Sequence, residues 1–240
     1  MRQAERRIAG FRVVMYWRPS AHTPPPAASG SLRALLAGVA GVLLIMSGAA
    51  AVGVALATQD HAPQPSLAAA GVIGPGAEGP WLRRSVPVSV EIPAIGVNSK
   101  VLHLGVSADG MIQVPSLYTQ ANDVAWYKYS ATPGQIGASV IEGHVDTYQG
   151  PAVFFRLGAL RPGDRVEVKL ADGITAVFRV TGTREYLKSN FPARTIYGAT
   201  HYAALRLITC GGPFDYATHH YLSSTVVFAS LTSSRRAGPG

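Results

Sequence analysis

The 240 residues are 48% apolar and only 14% charged, too apolar a mixture for a disordered chain. The formal net charge of +8 sits in the termini: residues 1–33 carry +5, Arg235 and Arg236 add +2, and residues 85–231 set eleven Lys/Arg against ten Asp/Glu. A nucleic-acid binder carries its basic face on the folded domain, so this distribution argues against a nucleic-acid partner.

Residues 1–33 form a basic tail with six arginines against Glu5. Met15 is an alternative start that still leaves Arg18 and Arg33 in the flank. Ala34 to Gln59 is an uncharged run of 26 residues rich in Ala, Gly, Val and Leu. A hydrocarbon core is spanned by about 20 such residues. Arginines precede the run, and Asp60 and His61 follow it. The positive-inside rule therefore predicts a cytoplasmic N-terminus and an exported remainder. Ala55-Leu56-Ala57 has the small-x-small form of a cleavage site. The run is nevertheless longer than the roughly 7–15 apolar residues of a signal peptide, which favours an uncleaved transmembrane signal-anchor. Residues 60–84 hold Pro63, Pro65, Pro75 and Pro80 among Gly and Ala, and read as a linker with little to pack. Trp81 is placed to cap the domain that follows.

From residue 85 the pattern changes to short apolar runs with turn punctuation. Strands are expected at 86–92, 111–114, 138–142, 165–170, 175–186, 204–210 and 224–231. Asp109-Gly110 and Asp172-Gly173 are hairpin signals. Short helical pieces are expected near 151–160 and 192–203. Residues 85–231 thus read as one all-β domain, a closed barrel or a sandwich, with 232–240 as a tail.

The chain has one cysteine, Cys210, delivered by the run Leu205 to Thr209 to Gly211-Gly212. Packing alone accounts for many such thiols. Exported proteins pair their cysteines, so an odd one implies intermolecular pairing or a free reactive thiol. A thiol nucleophile needs a group to take and return its proton, and histidine titrates in the right range. His144 ends the run Ala138 to Gly143 at a turn, as Cys210 ends its own run, and Asp146 is placed to orient it or stabilise its charge. His103 falls in an alternating strand, His201 in a helical piece, and His219 and His220 in a polar loop. One cysteine and no His-x-x-x-His spacing give no zinc site, and no metal or cofactor is expected. No Gly-x-Ser-x-Gly elbow is present for a serine nucleophile.

Over about residues 86–231 the chain resembles sortases, the membrane-anchored cysteine transpeptidases of Gram-positive bacteria, and most of all the class F group of actinobacteria. The resemblance rests on IPAIGV at 92–97, GHVD at 143–146, GPAVFFRLGALRPGD at 150–164, FPARTIYG at 191–198 and LRLITCGGPFD at 205–215. It implies an eight-stranded β-barrel with short helices, preceded by one transmembrane helix and facing the cell exterior. It implies that Cys210 attacks the Thr–Gly carbonyl of an LPxTG-like sorting signal. His144 would protonate the leaving amine, and the thioester would pass to an amine acceptor such as a cell-wall precursor. The partners implied are surface proteins bearing the signal. Thr209 matches the family's Thr-Cys pair, with a place in holding substrate. The resemblance also implies an arginine on the strand after the Cys loop. Here Gly211 to Ser234 contains no Arg or Lys, and the expected positions read Tyr221-Leu222-Ser223-Ser224. Arg206, four residues before Cys210 and on the same strand face, is one substitute as oxyanion or substrate donor, and Arg194 is another. The missing arginine motivates an alternative, a weak or inactive peptide-binding module on the same barrel. An L,D-transpeptidase would carry Ser-x-Gly-Cys-x-Arg, which Ile208-Thr209-Cys210-Gly211-Gly212 does not match.

Overall fold

Alternating apolar residues sort the strands into an inner and an outer face. The computed structural model describes residues 61–72, 79–108 and 110–236, together with the backbone of 7–8 and 11–12, which pair as a short antiparallel ribbon. The expected membrane span, Ala34 to Gln59, lies outside the described residues. Among the described residues no helix is long and apolar enough to cross a membrane.

Among the described residues eight strands close a barrel: β1 (Pro87–Ile92), β2 (Val97–Leu104), β3 (Val124–Tyr127), β4 (Gly137–Glu142), β5 (Arg165–Leu170), β6 (Ile174–Leu187), β7 (Ala203–Asp215) and β8 (His220–Arg236). Their order around the barrel is β6-β8-β7-β4-β3-β2-β1-β5, with β5 closing on β6. The β4–β7 and β2–β3 pairs are parallel. Closure leaves no sheet edge. Trp126, Ile141, Leu205, Leu207, Val227, Ala229, Val166, Val168 and Phe178 fill the interior, with Phe154, Leu157 and Leu160 plugging it. Fully burying a side chain of this size stabilises the fold by about 1.5–3 kcal/mol.

The residues between these inward positions point out. On β4, β7 and β8 the outward Val140, Ile208, Val226 and Phe228 form a second apolar cluster. The connection from β6 to β7 lies on it, with Ile196 of the five-residue helix α1 (Ala193–Tyr197) buried there and Phe191 and Tyr197 against it. This face also carries the candidate site.

Several elements differ from the sequence reading. Residues 111–114 form no strand, and only a Val106–Ile112 bridge remains. Strands β2 and β3 were not expected as elements, and the alternation around His103 was the only sign of β2. The 151–160 segment is turns and a 3-10 turn at Leu157–Ala159. The Asp172-Gly173 hairpin does join β5 to β6, with Gly173 at φ +81 and Asp172 Oδ1 accepting from Ile174 N–H at 3.1 Å. Strand β8 continues past residue 231 to Arg236 because its end pairs with the start of β6, and Arg235 bonds Glu167 on β5.

The first half of the expected linker is packed on the barrel. Ala69 is buried, and Val72 N–H donates to Thr181 O at 3.0 Å. A Cβ at Gly158 would stand 1.9 Å from Pro63 O, and one at Gly182 would stand 2.6 Å from Ala70 O. These two glycines let the segment lie against the wall. Trp81 is 61% exposed and caps nothing, whereas Leu82 N–H donates to Gly134 O at 2.7 Å.

Candidate active site

Strands β4 and β7 run parallel, with Glu142 level with Ile208. Gly143 N–H continues the ladder to Ile208 O at 3.1 Å. The parallel pairing ends at Glu142 and Ile208, two residues before His144 on one side and two before Cys210 on the other, while β7 itself runs on through Cys210 paired with Ser224 of β8. Thr209 Oγ1 donates to Gly143 O at 2.8 Å, stapling the cysteine strand to the residue before the histidine. Glycine is required at 143, since a Cβ there would lie 2.8 Å from Phe154 and Val153 carbons.

The Gly-Gly pair after Cys210 is a bulge, not the turn. Gly211 pairs Ser223 and Phe214 pairs Tyr221, so one extra residue is accommodated on β7, with Gly212 at φ +71. The ladder then runs on to the Asp215–His220 pair. Gly212 N–H donates to Gln64 Oε1 at 3.3 Å, which brings the packed segment to the rim of the site.

His144 is 7% exposed, and its Nε2 lies 2.7 Å from Pro115 O. A carbonyl only accepts, so Nε2 carries the proton and a backbone group orients the ring. Burial lowers the imidazole pKa below 6.5, while the Pro115 bond and the Asp146 charge act against that shift. Asp146 Oδ2 accepts from the Tyr221 hydroxyl. Burial raises the Asp146 pKa, and the Tyr221 bond and the charge of His144 pull it down. Burial likewise pushes the Cys210 thiol up; Lys188 opposes this, and the Glu142 and Asp146 carboxylates add to it. At neutral pH the resting site therefore holds a neutral thiol and a neutral imidazole.

The structure separates the two arginine candidates from the thiol. Arg206 is 3% exposed, with Nη2 donating to the Tyr202 hydroxyl at 3.3 Å, Nη1 to Leu205 O at 3.2 Å, and its guanidinium 4.6 Å above the Phe228 ring. Its Cα lies about 13 Å along the strand from that of Cys210, at about 3.3 Å per residue. Arg194 is exposed on α1. The cation beside the thiol is one that the sequence reading passed over: Lys188 Nζ lies 3.5 Å from Cys210 Sγ. Glu142 was also missed. It is 4% exposed, and its Oε1 accepts from the Tyr197 hydroxyl at 3.0 Å. Burial pushes its pKa up to about 7, and the Tyr197 bond opposes the shift. Among the described residues no group of three or more His, Cys, Asp or Glu is placed to hold a metal ion.

No curated protein matches the chain. Among solved structures, it is similar to sortase A from Listeria monocytogenes (17% identity, 64% of this chain and 92% of that one, TM-score 0.47). It is also similar to sortase A from Actinomyces oris (20% identity, 72% and 93%, TM-score 0.47) and from Corynebacterium diphtheriae (19% identity, 66% and 64%, TM-score 0.48). The sortase domain model matches residues 90–232, which hold β2 to β7 whole, the end of β1 and most of β8, and both Cys210 and His144. The chain belongs to the sortase family.

Proposed function

We propose that this protein is a class F sortase, a membrane-anchored cysteine transpeptidase acting outside the cell on LPxTG-like sorting signals. In this reading residues 1–33 stay in the cytoplasm, 34–59 anchor the chain as a single-pass helix, 60–84 link it to the barrel, 85–231 hold the catalytic domain, and 232–240 form its C-terminal end. The observation that carries the reading is the parallel register that ends at the Glu142–Ile208 pair, two residues before His144 on one strand and two before Cys210 on its neighbour.

Cys210 Sγ attacks the threonine carbonyl carbon while its proton passes to His144. Because Nε2 is committed to Pro115, the travelling proton is carried on Nδ1. The tetrahedral adduct collapses, the Thr–Gly C–N bond breaks, and His144 returns the proton to the leaving glycine amine. An acceptor amine on a cell-wall precursor or another protein then attacks the thioester. His144 takes the proton of the entering amine, the C–S bond breaks, and the thiol is restored. Splitting one amide exchange into two thioester steps lowers each barrier. One acid/base serves both steps because leaving and entering amines occupy the same place. Thr209 holds the two strand ends in register. The partners are surface proteins bearing the signal and the amine acceptor.

The test is incubation of the protein with an LPxTG peptide and mass spectrometry of Cys210. A peptide-acyl adduct is expected, and Cys210→Ala and His144→Ala each abolish cleavage. Neither adduct nor cleavage across several sorting signals, or cleavage that survives Cys210→Ala, would refute the mechanism.

A further inference from the structure

Formation of a thiolate, and then of an oxyanion on the attacked carbonyl, places negative charge at Cys210 twice in each half-reaction. Two carboxyl groups, Glu142 and Asp146, already act unfavourably on that charge. The strand after the cysteine supplies no counter-charge, since residues 211–234 lack Arg and Lys. Arg206 is tied to Tyr202, Leu205 and Phe228.

Lys188 comes from a different part of the sheet. It opens the 3-10 turn Lys188–Asn190 that follows directly on β6. Strand β8 lies between β6 and β7, with Ser224 paired to both Tyr186 and Cys210, and Ser223 paired to both Leu187 and Gly211. The next rung would set Lys188 level with Leu222. From there the lysine reaches across β8 to within 3.5 Å of Sγ. Lys188 also acts on His220, whose pKa falls through burial first and then through the Lys188 charge.

We propose that Lys188 is a catalytic residue of the Cys210 site: its ammonium group stabilises the thiolate and then donates to the oxyanion of the tetrahedral adduct. The ammonium has three donors on a flexible stem, so one N–H can stay on sulfur while another turns to oxygen. An oxyanion on a carbon bonded to Sγ lies close enough for a donor already at the sulfur to reach it within about 3 Å. The same cation answers both charges without moving between them. This role rests on Cys210 being the nucleophile, so its test includes a reaction that needs no peptide.

The experiment compares the full-length protein with Lys188→Met, Lys188→Arg and Lys188→Met/Leu222→Arg. The first readout is the pH dependence of Cys210 alkylation by iodoacetamide. Removing an adjacent cation raises a thiol pKa by about one unit or more, so the rate at pH 7 is expected to fall about tenfold in Lys188→Met and to be kept in Lys188→Arg. The second is cleavage of an LPxTG peptide. Loss of an oxyanion donor is expected to lower kcat about 10²–10³-fold with little change in KM. Leu222→Arg, whose guanidinium starts from the neighbouring rung, restores part of both. If Lys188→Met shifts alkylation while the wild type cleaves no peptide, the cation–thiol pairing stands and the peptidase reading fails. Unchanged alkylation and unchanged kcat in Lys188→Met would overturn the proposal.

Discussion

Replacing Glu142 by glutamine tests the buried carboxyl whose charge acts on the Cys210 thiol. Glu142 ends β4 with 4% exposure, accepts the Tyr197 hydroxyl, and titrates at about 7 where its ordinary value is 4.5. Below pH 4.5 the group is protonated whether the chain is folded or not, and it costs nothing. Between 4.5 and 7 only the unfolded chain releases the proton, so stability falls as pH rises. Above 7 both states are ionised and the cost is complete. At 1.36 kcal/mol per pH unit this gap amounts to about 3 kcal/mol. Glutamine keeps an oxygen for Tyr197 and carries no charge. Urea unfolding of both proteins at pH 4.5 and pH 8 isolates the effect, because every other titrating group is common to the pair. The wild type is expected to lose about 3 kcal/mol more than Glu142→Gln over that range. Identical pH dependence in the two proteins would refute the burial argument. The substitution has a second expected effect: above pH 7 the Glu142 charge no longer raises the Cys210 thiol, so alkylation of Cys210 is faster in the variant.

Thr209→Val removes the hydroxyl that donates to Gly143 O and leaves a half-buried carbonyl without that bond; a loss of about 1 kcal/mol in unfolding free energy is expected, with kcat falling more than KM rises, and Thr209→Ser retaining both. Asp146→Asn removes the anion that raises the His144 pKa and keeps an oxygen to accept from the Tyr221 hydroxyl. NMR titration should then place the His144 pKa lower than in the wild type, and an unmoved titration would show that Asp146 does not act on the imidazole.

The sequence made Cys210 and His144 visible because each ends an apolar run beside glycine, and a parallel pair of such runs brings its ends together. It made β5 and β6 visible through their alternating apolar residues, whereas in β2 the buried position 99 is a serine, which hides the same alternation. Strand β3 was not legible because Val124–Tyr127 spans four residues and buries three in succession, which erases the alternation. The Gly211-Gly212 pair looked like a turn because a bulge uses the same residue type for the same positive φ. Lys188 carries no local signature. It stands 22 residues before Cys210, and it meets the thiol only because β8, last in the chain, inserts between β6 and β7. Arg206 was misleading for the opposite reason: strand parity gave its face correctly, but Phe228 and Tyr202 on neighbouring elements hold its head away from the thiol.

Burial favours the neutral forms of the thiol, the imidazole and Glu142 together. In the proposed mechanism the proton passes from Sγ to His144, a step that creates an anion and a cation where there were none. Lys188 and Asp146 are placed to favour the two products of that transfer, one beside the sulfur and one acting on the imidazole. A peptide carbonyl that accepts the sulfur removes the thiolate as it forms, which makes attack and proton transfer mutually dependent.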